Sequence, residues 1–175
     1  MKGWSDLGVE IERKFLVRGD GWRARTTPVA IRQGYLCTQQ GTAVRVRRRG
    51  QEAFLTIKGG KNGLARVEYE YPIPAADADE MLDALCRRPL IEKTRHMVRF
   101  DGVTWEVDEF AGDNAGLIIA EVELTSAEQT VALPPWAGRE VSDDARFLNV
   151  SLVDRPISAW SAAEREAAGV RIPAS

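Results

Sequence analysis

Ionisable residues recur at alternate positions along this chain, and neighbours two apart usually carry the same sign. Glu10 and Glu12 precede Lys14, Arg45 pairs with Arg47, Glu68 with Glu70, Lys93 with Arg95, Glu106 with Asp108 and Glu121 with Glu123, while Lys58 follows Leu55 and Ile57. Side chains two apart on a strand point the same way. Each such pair therefore crowds like charges onto one face, where they repel. An ordinary solvated face mixes Thr, Ser, Gln, Lys and Glu, with no reason to segregate signs strand by strand. Segregated bases can clamp several phosphate oxygens, arginine doing so in bidentate fashion. Segregated carboxylates can hold divalent cations that bridge to the same phosphates. One face thus carries both halves of a metal–polyphosphate site.

Composition narrows the chemistry further. The chain has 175 residues, 29% charged and 44% hydrophobic, which fits one globular domain over residues 1–175. Its formal net charge of −2 removes the global basic excess that drives nonspecific nucleic-acid binding. His96 is the only histidine, which argues against a histidine-rich metal site and against a Ser-His-Asp triad. A metal held by carboxylates is a hard one such as Mg²⁺, Mn²⁺ or Ca²⁺. Cys37 and Cys86 form no C-x-x-C pair, consistent with a reducing compartment. Residues 1–6 lack the apolar core of a signal peptide, and the longest aliphatic run is Leu117–Ala120. The expected location is cytoplasmic, with no membrane and no nucleic acid as partner.

The elements that position these residues are mostly strands. Period-two alternation predicts Val9–Val17, Val29–Thr38, Ala43–Arg49, Ala53–Lys58, Ala65–Ile73, Leu90–Phe100, Val103–Phe110 and Leu117–Leu124. Asp101-Gly102 is a two-residue hairpin signal, and Gly59-Gly60-Lys61-Asn62-Gly63 reads as a hairpin loop. That last stretch is no phosphate-binding P-loop, lacking the upstream glycine and a Ser or Thr after the lysine. Eight strands indicate a barrel or a sandwich. Helices are predicted at Asp77–Arg88, Asp143–Leu152 and Ser161–Ala168, the last capped by Ser161 with Glu164, and a short helical crossover at Gly21–Thr26. The strand-rich part occupies residues 9–124, a helical part residues 126–175, and Pro134-Pro135 marks the change. Apolar helix faces need a surface to cover. That favours charges facing inward and helices outside.

The ordered series resembles the CYTH superfamily, also called triphosphate tunnel metalloenzymes. Glu10-Ile-Glu12-Arg-Lys14 matches its N-terminal Glu-x-Glu-x-Lys hallmark. Behind it come Val-Arg45-Val-Arg47, Thr-Ile-Lys58, Val-Glu68-Tyr-Glu70-Tyr, Lys93-Thr-Arg95, Trp-Glu106-Val-Asp108 and Ala-Glu121-Val-Glu123-Leu, over about residues 9–150. The resemblance implies an α+β, mainly β fold: an eight-stranded antiparallel closed β-barrel forming a tunnel, with helices packed outside and a C-terminal helix. It implies metal ligation by Glu10, Glu12, Glu121 and Glu123, with Asp108 at a second ion. Arg45, Arg47, Lys58 and Arg95 would bind phosphate, with Lys14, Lys93 and Tyr35 beside them. Glu68 and Glu70 would hold the bases in place. The catalytic set would be Lys14, Lys93, Glu106 and Asp108.

The reaction so implied is hydrolysis of a phosphoanhydride with Mg²⁺ or Mn²⁺, two ions in all. With no histidine in the set, the proton of the attacking water passes to a carboxylate, a lysine or metal-bound hydroxide. Gln33-Gly34-Tyr35-Leu36 is similar to the second strand of bacterial members acting on inorganic triphosphate, which favours that substrate. Thiamine triphosphatase, class IV adenylate cyclase and a non-catalytic polyphosphate-binding module are the alternatives. Homodimers among bacterial relatives make a homodimer the analogous expectation. His96, the tryptophans and the cysteines are expected to pack, and Arg48 to face away from the site.

Overall fold

A computed structural model of the chain describes residues 10–24, 26–39, 41–62 and 65–170; the side chains of Glu10 and of residues 60–66 fall outside that description. Alternation between apolar and charged positions drives eight segments into strands, close to where the sequence predicts them. They are β1 (Glu10–Val17), β2 (Pro28–Gln39), β3 (Thr42–Arg49), β4 (Glu52–Asn62), β5 (Ala65–Pro72), β6 (Ile91–Phe100), β7 (Val103–Phe110) and β8 (Ile118–Glu123). A ninth, β9 (Ala137–Glu140), was not predicted. All pairings are antiparallel, in the order β5-β4-β3-β2-β6-β7-β8-β1-β9. β1 also meets β5 over two positions, Glu10↔Arg66 and Ile11↔Ala65. The continuous ladder thus runs between two ends, β5 and β9, where the sequence predicted an uninterrupted ring of eight.

Local chemistry explains the turns and the differences. Asp101 and Gly102 both take positive φ (47° and 78°), as a tight hairpin between β6 and β7 requires. The glycine-rich stretch read as a loop instead extends β4 to Asn62, with a register shift between Gly59 and Lys61. β9 follows Pro134-Pro135, so those prolines do not end the strand-rich part. It docks on β1 through Phe15↔Glu140 and Val17↔Ala137, where a Cβ on Gly138 would lie 2.6 Å from the Leu16 carbonyl oxygen. Only glycine permits that approach.

Among the described helices only the first covers the outer face; the later ones pack at one end of the inner face, whereas the sequence placed every helix outside. α1 (Ala75–Ala84) stops short of the predicted Arg88 and lays Ala78 and Leu82 on Val46 and Ala53 of the sheet. The predicted Asp143–Leu152 helix is divided into a 3₁₀ turn at Ala145–Phe147 and α2 (Asn149–Asp154). Residues 21–24 form turns, not the predicted helical crossover, and Arg25 lies outside the described residues. α3 (Ala162–Ala168) carries the capping box between Ser161 and Glu164 and ends at left-handed Gly169. No described helix is long and apolar enough to cross a membrane. On β1, β7 and β8 the outer layer is Phe15, Trp105, Val107, Ala120 and Val122, covered by Trp22 and Trp136. His96 belongs to this outer layer, its ring 4.8 Å from Trp22 and its Nδ1 2.9 Å from the Thr26 hydroxyl.

The inner face changes character along its length. Leu16, Ile91, Phe110 and Ile119 lie two residues beyond Lys14, Lys93, Asp108 and Glu121, and so share their face. They pack with Phe147, Leu152, Ile157 and Trp160 of the C-terminal part into one apolar cluster. Asn114, buried before β8, fastens that part down: its Nδ2 donates to the Leu152 carbonyl at 3.3 Å and its Oδ1 accepts from the Ile157 amide at 2.9 Å. The charged face therefore ends on an apolar floor.

Gly34 shows how tightly β2 is seated. A Cβ there would lie 2.6 Å from Cys86 Cβ and 2.8 Å from Leu90 Cδ2. Gly34→Ala is expected to destabilise the fold by about 1–3 kcal/mol through overpacking. Calorimetry should read this as a fall of about 2–4 °C in Tm for each kcal/mol.

Candidate active site

The charged side chains form two networks on the inner face. The first spans β6, β7, β8 and β1. Lys93 Nζ meets Asp108 Oδ2 at 2.5 Å, with both side chains almost fully buried. Arg95 grips Asp108 from Nε at 2.7 Å and from Nη2 at 2.6 Å, and also bonds Glu106 and, at 3.1 Å, Glu121. Lys14 Nζ bridges Glu121 at 2.5 Å and Glu12 at 2.7 Å. The second network spans β3, β4 and β5. Arg47 donates to Glu70 at 2.6 Å, Lys58 pairs with Glu68 at 2.7 Å, and Arg45 lies 3.6 Å from Glu68 and 3.8 Å from Glu70. Arg48, the residue after Arg47, points the other way and pairs with Asp79 of α1 at 3.1 Å.

Register accounts for these contacts. Arg95 lies opposite Asp108, Lys14 opposite Glu121, and Lys58 opposite Glu68. The same register also forces two like-charge pairs, Glu12 opposite Glu123 and Glu106 opposite Glu121. Directly opposed Cβ atoms sit about 4.5–5.5 Å apart, so these carboxylates face each other closely. Glu123 is exposed and makes no ion pair among the described residues.

Burial and charge shift the ionisation of several groups. Burial pushes Glu106 up, and Glu121 and Asp108 add to this against the pull of Arg95. Glu121 is held well below the usual carboxylate range because Lys14, Lys93 and Arg95 outweigh the cost of its burial. Burial depresses Lys93, and Arg95 beside it overcomes part of the support from Asp108. Lys14 moves the other way, since Glu121 and Glu12 more than offset its burial. Arg47 is pushed down to about 10, first by burial and then by Arg45, with a further contribution from Arg95. The face around Arg45 and Arg47 therefore holds more positive charge than its own carboxylates balance.

Of the residues predicted for the site, Lys14, Lys93, Arg95, Glu106, Asp108 and Glu121 meet in the first network, and Arg45, Arg47, Lys58, Glu68 and Glu70 in the second. Tyr35 stands opposite Arg45 and is buried against the apolar floor. Glu12 joins through Lys14, and the predicted role of the Glu10 side chain lies outside the described residues. Among the described residues no three carboxylates, cysteines or histidines are grouped as a metal cage. Asp108 and Glu121 spend their oxygens on bases. Two inner-face residues, both within motifs noted in the sequence, had been given no role. Thr56, fully buried, accepts from Arg45 at 3.3 Å and donates to Glu70 at 3.0 Å. Gln33, opposite Arg47, is fully buried with no partner among the described residues for either end of its amide. Both are uncharged, yet both lie at inner positions of their strands, and that periodicity is the signal that finds them.

Comparison with known proteins follows the same residues. The CYTH domain model matches residues 8–155. The chain belongs to the CYTH family. This CYTH protein is 47% identical over 150 residues to an inorganic triphosphatase of Acetivibrio thermocellus, covering 86% of the chain and 96% of that relative. It is 42% identical over 149 residues to an inorganic triphosphatase of Nitrosomonas europaea, covering 82% and 95% respectively. A crystal structure of an inorganic triphosphatase superposes with a TM-score of 0.61 at 38% identity, covering 82% of this chain and 93% of that one.

Glu121 offers a direct test of the first network. Breaking a buried ion pair from one side costs about 3–5 kcal/mol, and Glu121→Gln should fall at the low end because its side chain is 12% exposed. Its folded pKa is depressed, so its contribution is complete above the unfolded value near 4.5 and is lost as pH falls below it. Denaturant melts at a series of pH values should show a full gap between wild type and Glu121→Gln at pH 7, closing below about pH 4.5.

Proposed function

We propose that this CYTH protein hydrolyses inorganic tripolyphosphate to pyrophosphate and orthophosphate with Mg²⁺ or Mn²⁺, on the inner face of a barrel closed through β1 and β5. The observation that carries the proposal is the crowding of buried bases. Arg45, Arg47 and Arg95 share one face, and burial first, then Arg45 and Arg95, depresses the ionisation of Arg47. A polyanion relieves that repulsion. The two relatives named inorganic triphosphatase, at 47% and 42% identity over nearly their full lengths, support the same substrate. The pairing of Ile11 with Ala65 supports closure, and burial of Lys14, Arg45, Lys93 and Asp108 supports an enclosed site.

The donor set suits a hard cation. Glu12 and Glu123 oppose each other with oxygen ligands only, Glu10 lies two residues earlier on the same strand, and a divalent ion between them cancels their repulsion. Such an ion would neutralise charge on the phosphate chain and acidify the attacking water. Asp108 and Glu121 would help hold the metal once the phosphates had drawn Lys93, Lys14 and Arg95 away from them. Arg45, Arg47 and Lys58 then hold the chain from the opposite network, with Glu68 and Glu70 orienting them. Water adds to a terminal phosphorus, the P–O–P bond breaks, and charge develops on the leaving pyrophosphate beside Lys93 and Arg95. The neighbouring carboxylates and Lys93, whose burial favours its neutral form, are the groups placed to take the proton. The apolar floor limits the length of anion that fits.

Phosphate release from tripolyphosphate, ATP and thiamine triphosphate, each with Mg²⁺ or Mn²⁺, tests this. Fastest turnover is expected on tripolyphosphate, with pyrophosphate and phosphate as products. Cyclic AMP from ATP would indicate a cyclase, and tight binding without turnover a binding module. Arg45→Ala should lower kcat/KM about 100-fold, as loss of a charge-stabilising donor does. Arg48→Ala, on the outer face of β3 beside Asp79, should leave it unchanged.

A further inference from the structure

The residue that fits its fold least well is Gln33. It lies midway along β2 at an inner position, flanked across the sheet by Arg47 on one side and Ile91 on the other. Its side chain is 0% exposed, and neither Nε2 nor Oε1 has a hydrogen-bond partner among the described residues. A buried amide left unpaired costs free energy, whereas an apolar group of the same shape in that place is neutral or stabilising. Folding alone would put an apolar residue there, like Ile91 of the apolar floor directly opposite on β6. The neighbouring orphans point in one direction. Arg47 Nε and Arg45 Nε, on the adjoining strand, are also buried without acceptors. Three donors without acceptors, on two paired strands and one face, mark the place of an acceptor-rich ligand.

We infer that Gln33 is a substrate-binding residue whose amide N–H donates to a phosphoryl oxygen of the bound triphosphate, beside the Nε groups of Arg45 and Arg47. The inference rests on the triphosphatase reading and extends it. Gln33 adds a neutral donor at the boundary between charged face and apolar floor, where another cation would have no carboxylate to balance it. A neutral amide has a further consequence. It holds the anion without adding to the repulsion that already depresses Arg47.

The test compares wild type with Gln33→Met, which keeps length and volume, and Gln33→Glu, which keeps shape but adds a negative charge. Ligand-free Tm, kcat and KM for tripolyphosphate with Mg²⁺, and the rise in Tm on adding tripolyphosphate are measured for all three. Gln33→Met should melt at or above the wild-type temperature, yet raise KM about 10-fold with kcat little changed, as loss of one bond to a charged group predicts. Its Tm should rise less with tripolyphosphate than that of wild type. Gln33→Glu should raise KM further. A Gln33→Met protein with wild-type KM, or one that melts lower whatever its KM, would overturn the inference, because the amide would then be satisfied within the fold. Wild type that neither turns over tripolyphosphate nor gains Tm from it would sink the underlying reading as well.

Discussion

Lys93 and Asp108 meet at 2.5 Å with almost no exposure, and Arg95 closes on the same carboxylate. Removing such charges from water costs several kcal/mol each, and only mutual pairing offsets that. This constraint shapes the inner face. Among the described residues, Lys14, Lys93 and Arg95 each touch a carboxylate, and Glu12, Glu106, Asp108 and Glu121 each touch a base, whereas Glu123 does not. The inner face is thus largely paired within itself, with carboxylates opposed at Glu12 and Glu123 and guanidinium groups crowded at Arg45 and Arg47. Metal and polyphosphate are the complementary pair that relieves both strains together, so each is expected to favour binding of the other.

Such a face needs rigid backing, because the networks work only if strand register holds. The backing comes from outside and below. Phe15, Trp105 and Trp136 stack as tilted and edge-on rings with centroids 5.5–5.6 Å apart behind β1, β7 and β8. α1 seals β3 and β4. The C-terminal part, fastened through Asn114, supplies the floor beneath Lys14 and Lys93. The outer layers hold register, and register sets which charges meet.

Much of this was legible in the sequence because strand alternation is a local signal. Glu10-x-Glu12-x-Lys14 and Glu121-x-Glu123 declare an inner face without knowledge of their partners. What stayed hidden depends on contacts between distant segments. β9 has no strand pattern of its own; Ala137–Glu140 becomes a strand because Gly138 lets it reach Leu16 and because Arg13 bonds Glu140 at 2.6 Å. The glycines of β4 read as a turn, yet pairing with β5 carries them on as strand. Opposed pairs such as Glu106 and Glu121 follow from inter-strand register, which no single strand encodes. Thr56 and Gln33 carry no charge, so a search for ionisable pairs passes over them.

The central claim is that the two networks give up their internal partners to one triphosphate and its metal. Crystals grown with a non-hydrolysable tripolyphosphate analogue and Mn²⁺ test it most directly, using anomalous scattering to locate the ion. The account predicts the anion between Arg45, Arg47 and Arg95, with manganese against Glu12 and Glu123 and the Lys14–Glu121 bond lengthened. An anion held on the outer surface, with every inner ion pair intact at saturating ligand, would contradict it.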